Sequence, residues 1–592
     1  MKAQEKKGAR AKSGLDFIFL ITGFFLVLTT PAVGKIKNHD TFIFATYGNL
    51  RTLDPCAAYD TNSSQRIWNL YEPLIFFDGP HTDQFKPVLA RQVPSTENGG
   101  ISPDGKRYAF VIRKGIRFHE GQGLKAEDVV YSFKRNMIAD PDGGPMWMLL
   151  EALTGESSTR DRGGRPLQDI FGRIDRAVRA EGDRVVFLLP KPYPPFLSVL
   201  AHTSAVVLNK SWAVSKGCWD GRIENASRYN NPAPGHEPLQ RIANGTQAYR
   251  MKAWEPNKQF VFDRFEGYWG PKPALKTAII KYVKEWSTRK LMLQNGDADR
   301  VTVDMPHVPE VQNMKGLKIH KVPQLSVSGA LFCQRIDPTG NPNIGSGKLD
   351  GKGIPPDFFS DIHMRKAFLH AMDRNTYRED VFHGWVILPS SPNIEGLPYH
   401  KKVPVYEFDL KKSAAHMKRA WQGKVWKKGF KMVILYNTGN EMREAAALML
   451  AENIMSLSPK FRIELRQVEW KDYLVKYRNY RYPLFITGWA ADYADPHNFL
   501  YTFMHSRGVY GRFMAYKNEA VDRLCEAGIE TMDPERRKTI YGRLQDLWFE
   551  EALGIMLYQQ INIRAYRDWV KGYIPNPMLT DANEMLMNLR KE

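Results

Sequence analysis

The sequence is poor in cysteine and gives no sign of the usual zinc or thiol-redox sites. Its four cysteines, Cys56, Cys218, Cys333 and Cys525, lie far apart, with no CxxC pair and no Cys/His cluster. A metal or redox centre of the common spacing is therefore not expected. In an oxidising compartment the four thiols can form up to two disulfides, and the three complete pairings remain open.

Short catalytic signatures are also missing. The sequence has no GxSxG elbow, no HExxH helix and no EF-hand loop. A GSGK tetrapeptide occurs in the segment 337–357, which is rich in Gly, Pro and Asn and predicts a long surface loop. It does not fit a phosphate-binding loop, because Pro342 stands where the pattern needs Gly and Leu349 where it needs Ser or Thr. Separate Ser, His and Asp residues can still converge in space, so an enzyme remains an alternative, but a binding role is favoured.

The sequence lacks an apolar run of membrane-spanning length. The run FIFLITGFFLVL (17–28) is short, follows five basic residues and precedes the small residues Ala32 and Gly34. This order predicts an export signal over residues 1–34, with an uncleaved membrane anchor as the alternative. No cysteine follows the run directly, so no lipid attachment is expected. The mature protein is expected to be soluble outside the cytoplasm, because no later stretch reaches spanning length without charges.

Long blocks of like charge are absent, although the chain is strongly basic. The formal net charge is +20, and it falls to +17 without residues 1–34, which hold five basic and two acidic residues. Lys and Arg are scattered among acids, which favours a solvated surface over nucleic-acid or anionic-lipid binding. Weak retention on heparin at physiological salt would agree with this prediction.

The length and periodicity predict several α/β lobes. A chain of 592 residues, 43% of them hydrophobic, exceeds what one core usually supports. Alternating apolar residues predict strands at 107–113, 184–190 and 259–265, and the unbroken apolar run at 483–489 predicts a strand that is covered on both faces.

Helix signals alternate with these strands. Asp361 is placed to cap a helix whose apolar residues recur every three or four positions, and Asp533 with Pro534 begins another. The apolar stripes are Met364, Ala367, Phe368, Ala371 and Met372 in the first helix and Ile540, Leu544, Leu547 and Trp548 in the second. Both helices are expected to face a core.

Several separated segments resemble one family, the oligopeptide- and dipeptide-binding proteins of bacterial ABC importers (extracellular solute-binding protein family 5). The resemblance covers the chain from about residue 40 to the end. The segments are NLRTLDPCAAYD (49–60), SPDGKRYAFVIRKGIRFHEGQGLKAEDVVYSFKR (102–135), FDRFEGYWGPKP (262–273), DIHMRKAFLHAMDR (361–374), TGWAADYADPHNFLYTF (487–503), ERRKTIYGRLQDLWFEEALGIMLYQ and WVKGY.

The resemblance implies a periplasmic-binding-protein-like fold: two α/β lobes joined by a hinge, with an extra domain beside the first lobe. By position, the first lobe takes 40–75, 206–320 and 560–592, the accessory domain takes 76–205, and the second lobe takes 321–559. We expect a monomer that closes its lobes on a ligand.

The resemblance also implies the ligand site. Peptide-binding members hold the peptide's α-ammonium with an aspartate in a W-x-A-D-Y motif, and Asp492 matches it in WAADY (489–493). The strand ending at Trp489 delivers this loop to a sheet edge, where α/β folds collect ligand groups. The alternative is a loop aspartate that caps a turn or pairs with an arginine.

Further ligand contacts follow from the same matches. Gly488 and Ala490 could pair with an extended peptide as another strand would. The other predicted wall residues are Trp489, Tyr59, Thr61, Trp147 and Asn437.

The sequence departs from the peptide-binding pattern at the ligand's far end. Met442 and Ile486 stand where some members place basic side chains, with Arg443 and Arg478 adjacent. IANGTQAYRM (242–251) also replaces the family's usual turn. The anchor for a peptide carboxyl group and the ligand's length therefore stay open.

The expected function is non-enzymatic capture of a small peptide and its delivery to an inner-membrane permease, with no cofactor or metal and no nucleic acid. Binding of a nickel chelate, opine, sugar or other small solute is the alternative within the family. A secreted enzyme such as a peptidase, or an envelope scaffold or chaperone, is the alternative from another class.

Overall fold

The computed structural model describes residues 36–161, 163–233, 235–579 and 585–592. The predicted signal peptide lies outside the described residues. From Ile36 onward the chain forms one compact unit. In the described ranges, no helix has both the length and the apolarity to cross a membrane.

Strands and helices alternate along the described chain. The strands are β1 Thr41–Thr46, β2 Ile75–Phe77, β3 Phe85–Pro87, β4 Arg107–Val111, β5 Val178–Glu181, β6 Arg184–Leu188, β7 Tyr249–Glu255, β8 Gln259–Arg264, β9 Thr277–Tyr282, β10 Arg300–Thr302, β11 Leu317–Phe332, β12 Val386–Ile387, β13 Phe430–Asn437, β14 Phe461–Val468, β15 Leu484–Ala490, β16 Gly554–Arg567, β17 Val570–Lys571 and β18 Arg590–Lys591. The helices are α1 Thr61–Leu70, α2 Ala126–Ala139, α3 Trp147–Thr154, α4 Ile170–Ala177, α5 Phe196–Leu200, α6 Lys210–Ser215, α7 Trp286–Asn295, α8 Val308–Val311, α9 Ile362–Ala371, α10 Arg374–Phe382, α11 Leu410–Arg419, α12 Lys424–Lys428, α13 Glu441–Ser456, α14 Trp470–Arg478, α15 Pro496–Met504, α16 Val509–Phe513, α17 Glu519–Glu530 and α18 Pro534–Glu550.

The predicted strands and helices are confirmed. The four strand predictions correspond to β4, β6, β8 and β15. Asp361 caps α9 by accepting a hydrogen bond from the His363 backbone N (2.7 Å), and Asp533 caps α18 through the Arg536 backbone N (2.7 Å). The predicted loop 337–357 contains no α-helix or strand among those above.

Two long antiparallel strands, β11 and β16, connect the halves of an eleven-stranded sheet. The strand order is β14-β13-β15-β11-β16-β10-β1-β9-β8-β7, and β12 pairs with β16. The pairing of β11 with β16 is interrupted between Pro323 and Val327. On one side of the interruption β16 also pairs with β10, and on the other side β11 also pairs with β15. The two halves are therefore joined through one irregular ladder.

The predicted lobe boundaries near residues 321 and 559 fall inside β11 and β16, close to this interruption. Within the predicted accessory domain, β4, β6 and β5 form a separate three-stranded sheet, and β2 pairs with β3. The division into lobes and accessory domain stays a prediction.

The four cysteines are free thiols in the structure, and all four are buried. None of the disulfide pairings left open by the sequence is formed. Burial raises the pKa of each thiol above its usual range, so these thiols are weak nucleophiles.

Candidate functional site

The candidate site begins at the carboxyl end of β15. This strand runs antiparallel to β11 and parallel to β13, with Phe485 opposite Leu435. Parallel strands present their carboxyl ends at the same edge, so Asn437, at the end of β13, lies level with Thr487. The predicted residues on the two strands therefore meet at one edge of the sheet.

Asp492 lies in the tight turn between β15 and α15. Asn498 of α15 fixes this turn, because its Oδ1 accepts hydrogen bonds from Trp489 Nε1 (2.9 Å) and from the Asp492 backbone N (3.3 Å). The Ala491 backbone N donates to the Leu325 carbonyl of β11 (2.7 Å). The turn is thus tied to α15 and to β11.

The Asp492 carboxylate contacts side chains from distant parts of the chain. Its Oδ1 accepts a hydrogen bond from the Tyr59 hydroxyl, and Trp147 Nε1 donates to the same hydroxyl at 3.2 Å. Tyr59 belongs to the predicted first lobe and Trp147 to the predicted accessory domain. The structure therefore brings three of the predicted site residues into one hydrogen-bonded group.

Asp492 has no cationic partner among the residues that the structure describes. Burial raises the pKa of its carboxyl to about 6, although hydrogen bonds from Tyr59 and Asn498 act in the opposite direction. The alternative of an arginine-paired aspartate fits Asp495 instead, whose two carboxylate oxygens each lie 2.9 Å from Arg537 Nη2. Asp495 also caps α15 through the His497 backbone N (2.9 Å).

Aromatic side chains extend the wall beside Asp492. The ring of Trp147 lies 6.2 Å from that of Tyr493, centroid to centroid, and the hydroxyls of Tyr193 and Tyr493 lie 3.3 Å apart. Tyr193 and Tyr493 were not predicted as site residues. Tyr493 directly follows Asp492, but the sequence gives no sign that Tyr193 lies nearby.

β15 continues beyond Thr487, whereas β13 ends level with that residue, at Asn437. Successive residues of a strand direct their backbone N–H and C=O groups to opposite sides. Because the Ala491 N–H points toward β11, the N–H and C=O groups of Gly488 and Ala490 point to the side of β15 away from β11. The Gly488 carbonyl accepts a hydrogen bond from the Tyr510 hydroxyl (2.6 Å). Ala490 is exposed. This edge is placed to pair with an extended ligand, and Tyr510 already uses one of its acceptors.

A cavity of about 460 Å³, the interlobe cavity, lies between the two halves of the sheet. The predicted first lobe contributes Tyr47 and Asp304, and the predicted second lobe contributes Gln324, Met442 and Tyr558. Tyr558 lines the cavity, and both Tyr558 and Gly488 lie opposite Ser328 on neighbouring strands. Residues opposite one another lie on the same face of a sheet, so the cavity and Gly488 share one face.

Arg443 provides positive charge at the same edge. It stands in the first turn of α13, and its Nη1 donates to Asn437 Oδ1 (2.8 Å). Burial raises the pKa of Tyr510 and of Tyr558, and the positive charge of Arg443 acts to lower both pKa values. Arg443 therefore lies near the cavity and near Gly488.

Ile486 and Thr61 do not join the group around Asp492. Ile486 is fully buried, and its backbone is held by the Tyr473 hydroxyl, so this position offers nothing to a ligand's carboxyl end. Thr61 is the exposed first residue of α1. The ligand roles of Asp492, Gly488, Ala490 and the other predicted residues stay predictions.

Two sheet halves joined by a pair of strands, with a cavity between them, define a two-lobed solute-binding protein. The chain belongs to the bacterial extracellular solute-binding proteins, family 5, whose model of the middle region matches residues 84–511. The family and the fold predicted from the sequence are confirmed.

Similar proteins include one named for dipeptide binding and solved structures in complex with a peptide or with Fe(III)-EDTA. The dipeptide-binding protein of Escherichia coli K12 is 23% identical over 98% of each chain. DppA of Helicobacter pylori in complex with the peptide STSA has a TM-score of 0.66 at 21% identity, covering 93% of this chain and 98% of that one. NikA of Brucella suis in complex with Fe(III)-EDTA has a TM-score of 0.71 at 18% identity, covering 93% of this chain and 100% of that one.

Proposed function

We propose that this protein is the exported substrate-binding component of an ABC importer. It captures a small peptide between its lobes in the periplasm, as a monomer and without chemical change, and delivers it to a permease in the inner membrane. Family membership and the named dipeptide- and oligopeptide-binding relatives support this proposal.

The observation that carries the peptide assignment is the uncompensated carboxylate of Asp492. It is half-buried beside Tyr59 and Asn498, which are neutral, and it has no ion pair within the described residues. A peptide's α-ammonium, cationic below a pKa of about 8, supplies the missing charge. The charge-assisted hydrogen bond that forms away from water is stronger than its exposed equivalent.

Contacts from both lobes would make the ligand bind the closed state more tightly than the open state. The interlobe cavity is lined from both sides. Outside its lining, Tyr59 of the predicted first lobe donates a hydrogen bond to Asp492 of the predicted second lobe. A ligand that touches both sides binds the closed form more tightly, which shifts the equilibrium toward closure. A dissociation constant near 1 μM corresponds to about −8 kcal/mol.

We also propose Arg443 as the partner of the peptide's carboxyl group. Arg443 lies beside Asn437, level with Thr487, whereas Asp492 lies beyond the end of β15. The two opposite charges therefore stand at the two ends of the edge formed by Gly488 and Ala490. Charge complementarity along this edge favours a peptide with both ends free.

The ligand itself provides the test. Freshly purified protein is denatured, and the released small molecules are identified by mass spectrometry. The proposal expects short peptides with free amino termini. A metal chelate, opine, haem or sugar in stoichiometric amount would contradict the peptide assignment and favour the alternative within the family.

A second assay separates capture from catalysis. Candidate peptides are incubated with the protein and then analysed for cleavage. A receptor returns them intact, whereas turnover would displace this proposal in favour of a peptidase.

A further inference from the structure

A second cavity, of about 200 Å³, lies away from the interlobe cavity; it is called the aromatic cavity here. Its walls come from α1 and β2, from the turn after β8, and from the chain that follows β17. No residue of the predicted second lobe contributes to its walls, and it shares none with the interlobe cavity. It is therefore a separate site.

The aromatic cavity combines six aromatic rings with one deeply buried acid. The rings are those of Trp68, Phe76, Phe77, Tyr268, Trp269 and Tyr573. The acid is Glu72, which is 1% exposed and also lines the cavity. Aromatic faces attract cations, and more strongly where water is excluded.

Glu72 is hydrogen-bonded but not charge-compensated. Tyr268 Oη donates to its Oε1 and Trp269 Nε1 donates to its Oε2, each at 3.0 Å. Both donors are neutral, and within the described ranges Glu72 forms no ion pair. A carboxylate offers about four acceptor sites, so acceptor capacity remains for a ligand.

Neither Arg113 nor Lys86 forms an ion pair with this carboxylate, although the charge of Arg113 acts on it. Arg113 lies 5.2 Å from the ring centroid of Trp269, and its Nε donates to the carbonyls of Val88 (2.7 Å) and Ala90 (3.1 Å). Lys86 lines the cavity but is exposed. Burial raises the pKa of Glu72 to about 7, despite opposing hydrogen bonds and the charge of Arg113.

We propose that the aromatic cavity binds a small organic ammonium ion, with Glu72 as its counter-charge and the aromatic rings as its cage. An anion would be repelled by Glu72. A neutral apolar molecule would fill the space but leave the carboxylate uncompensated. This site is independent of peptide capture, so its failure would leave the proposed function standing.

The test compares choline with its neutral isostere, 3,3-dimethylbutan-1-ol, on the whole protein by calorimetry. Choline is expected to bind saturably with a dissociation constant below about 1 mM, and the isostere at least about tenfold more weakly. Glu72→Gln should weaken choline binding at least about tenfold, because only the charge is removed. Asp492→Asn is the matched control and should leave choline binding unchanged. Equal affinity for choline and the isostere would overturn the proposal, as would loss of choline binding in Asp492→Asn with retention in Glu72→Gln.

A measurement on the unaltered protein covers the case in which Glu72→Gln fails to fold. Choline favours the ionised carboxylate, so binding at pH 7 should release protons from Glu72. Calorimetry in buffers with different ionisation enthalpies measures this release. Choline binding without proton release would contradict the assigned role of Glu72.

Discussion

The ionised Asp492 carboxyl opposes folding of the ligand-free protein. Burial raises its pKa to about 6 in the folded protein, above its ordinary value of 3.8, so the ionised form is disfavoured in the fold. The free energy of unfolding therefore falls as the pH rises from 3.8 to about 6. Above about pH 6 the loss is complete.

Replacement of Asp492 by Asn should therefore stabilise the ligand-free protein. At pH 7.5 the free energy of unfolding is expected to rise by up to about 3 kcal/mol, the equivalent of two pKa units. The gain should shrink toward pH 4. Urea titrations at both pH values measure it, with Asp183→Asn, an exposed acid, as the control. A loss of stability at pH 7.5 would mean that the charge supports the fold.

Peptide affinity should depend on pH through two groups. Below about pH 6 Asp492 takes up a proton, and affinity should fall about tenfold per pH unit. Above about pH 8 the peptide's α-ammonium loses its proton and affinity should fall again. Calorimetry between pH 5 and 9 tests this. A profile that stays flat through pH 6, or one that Asp492→Asn leaves unchanged, would argue against the pairing.

Replacement of Arg443 by Gln should weaken the binding of peptides with a free carboxyl end about tenfold or more. The binding of amidated peptides should stay nearly unchanged. Arg462→Gln is a matched control, because Arg462 is an exposed arginine on β14. Fluorescence or calorimetric titration gives the dissociation constants. Equal weakening of binding for both peptide forms would contradict the proposed role and indicate that Arg443 acts only through its hydrogen bond to Asn437.

At the scale of single residues, the W-x-A-D-Y motif and the resemblance singled out Asp492, Tyr59 and Trp147, which the structure places in one hydrogen-bonded group. Their ligand role stays a prediction, and the sequence did not reveal the residues around them. The contact between Tyr193 and Tyr493 joins positions 300 residues apart, so no local pattern could reveal it. Burial of Ile486 also depends on how β15 packs, which a motif does not specify.

At the scale of elements, local periodicity and capping chemistry predict the helices and strands well. Asp361 and Asp533 both act as helix caps, as their positions indicate. Asp361 has a second role that the sequence does not show, since its Oδ2 accepts a hydrogen bond from the Trp421 backbone N (2.6 Å). It therefore ties α9 to the chain after α11.

The two caps should differ in their effect on stability. Asp533→Ala removes one cap and should cost about 1 kcal/mol. Asp361→Ala also leaves Trp421 N without its partner and should cost about 2 kcal/mol. Urea unfolding monitored by circular dichroism gives both values. Equal losses would show that the bond to Trp421 contributes nothing.

At the scale of the whole molecule, the long-range pairing was beyond reach from the sequence. The resemblance predicted two lobes and a hinge, but not one sheet of eleven strands whose halves meet at β11 and β16. The interruption between Pro323 and Val327 weakens that ladder next to the interlobe cavity. The proposed lobe movement and the proposed ligand binding would therefore involve the same region.

The most direct measurement is a thermodynamic cycle on the whole protein, in which one peptide with a free or an acetylated amino terminus is titrated calorimetrically into the wild type and Asp492→Asn. The account predicts that the wild type prefers the free peptide by at least about 2 kcal/mol and that the variant loses this preference, because a buried carboxylate needs a cationic partner. Equal binding of both peptides to the wild type, or the same preference in the variant, would contradict it.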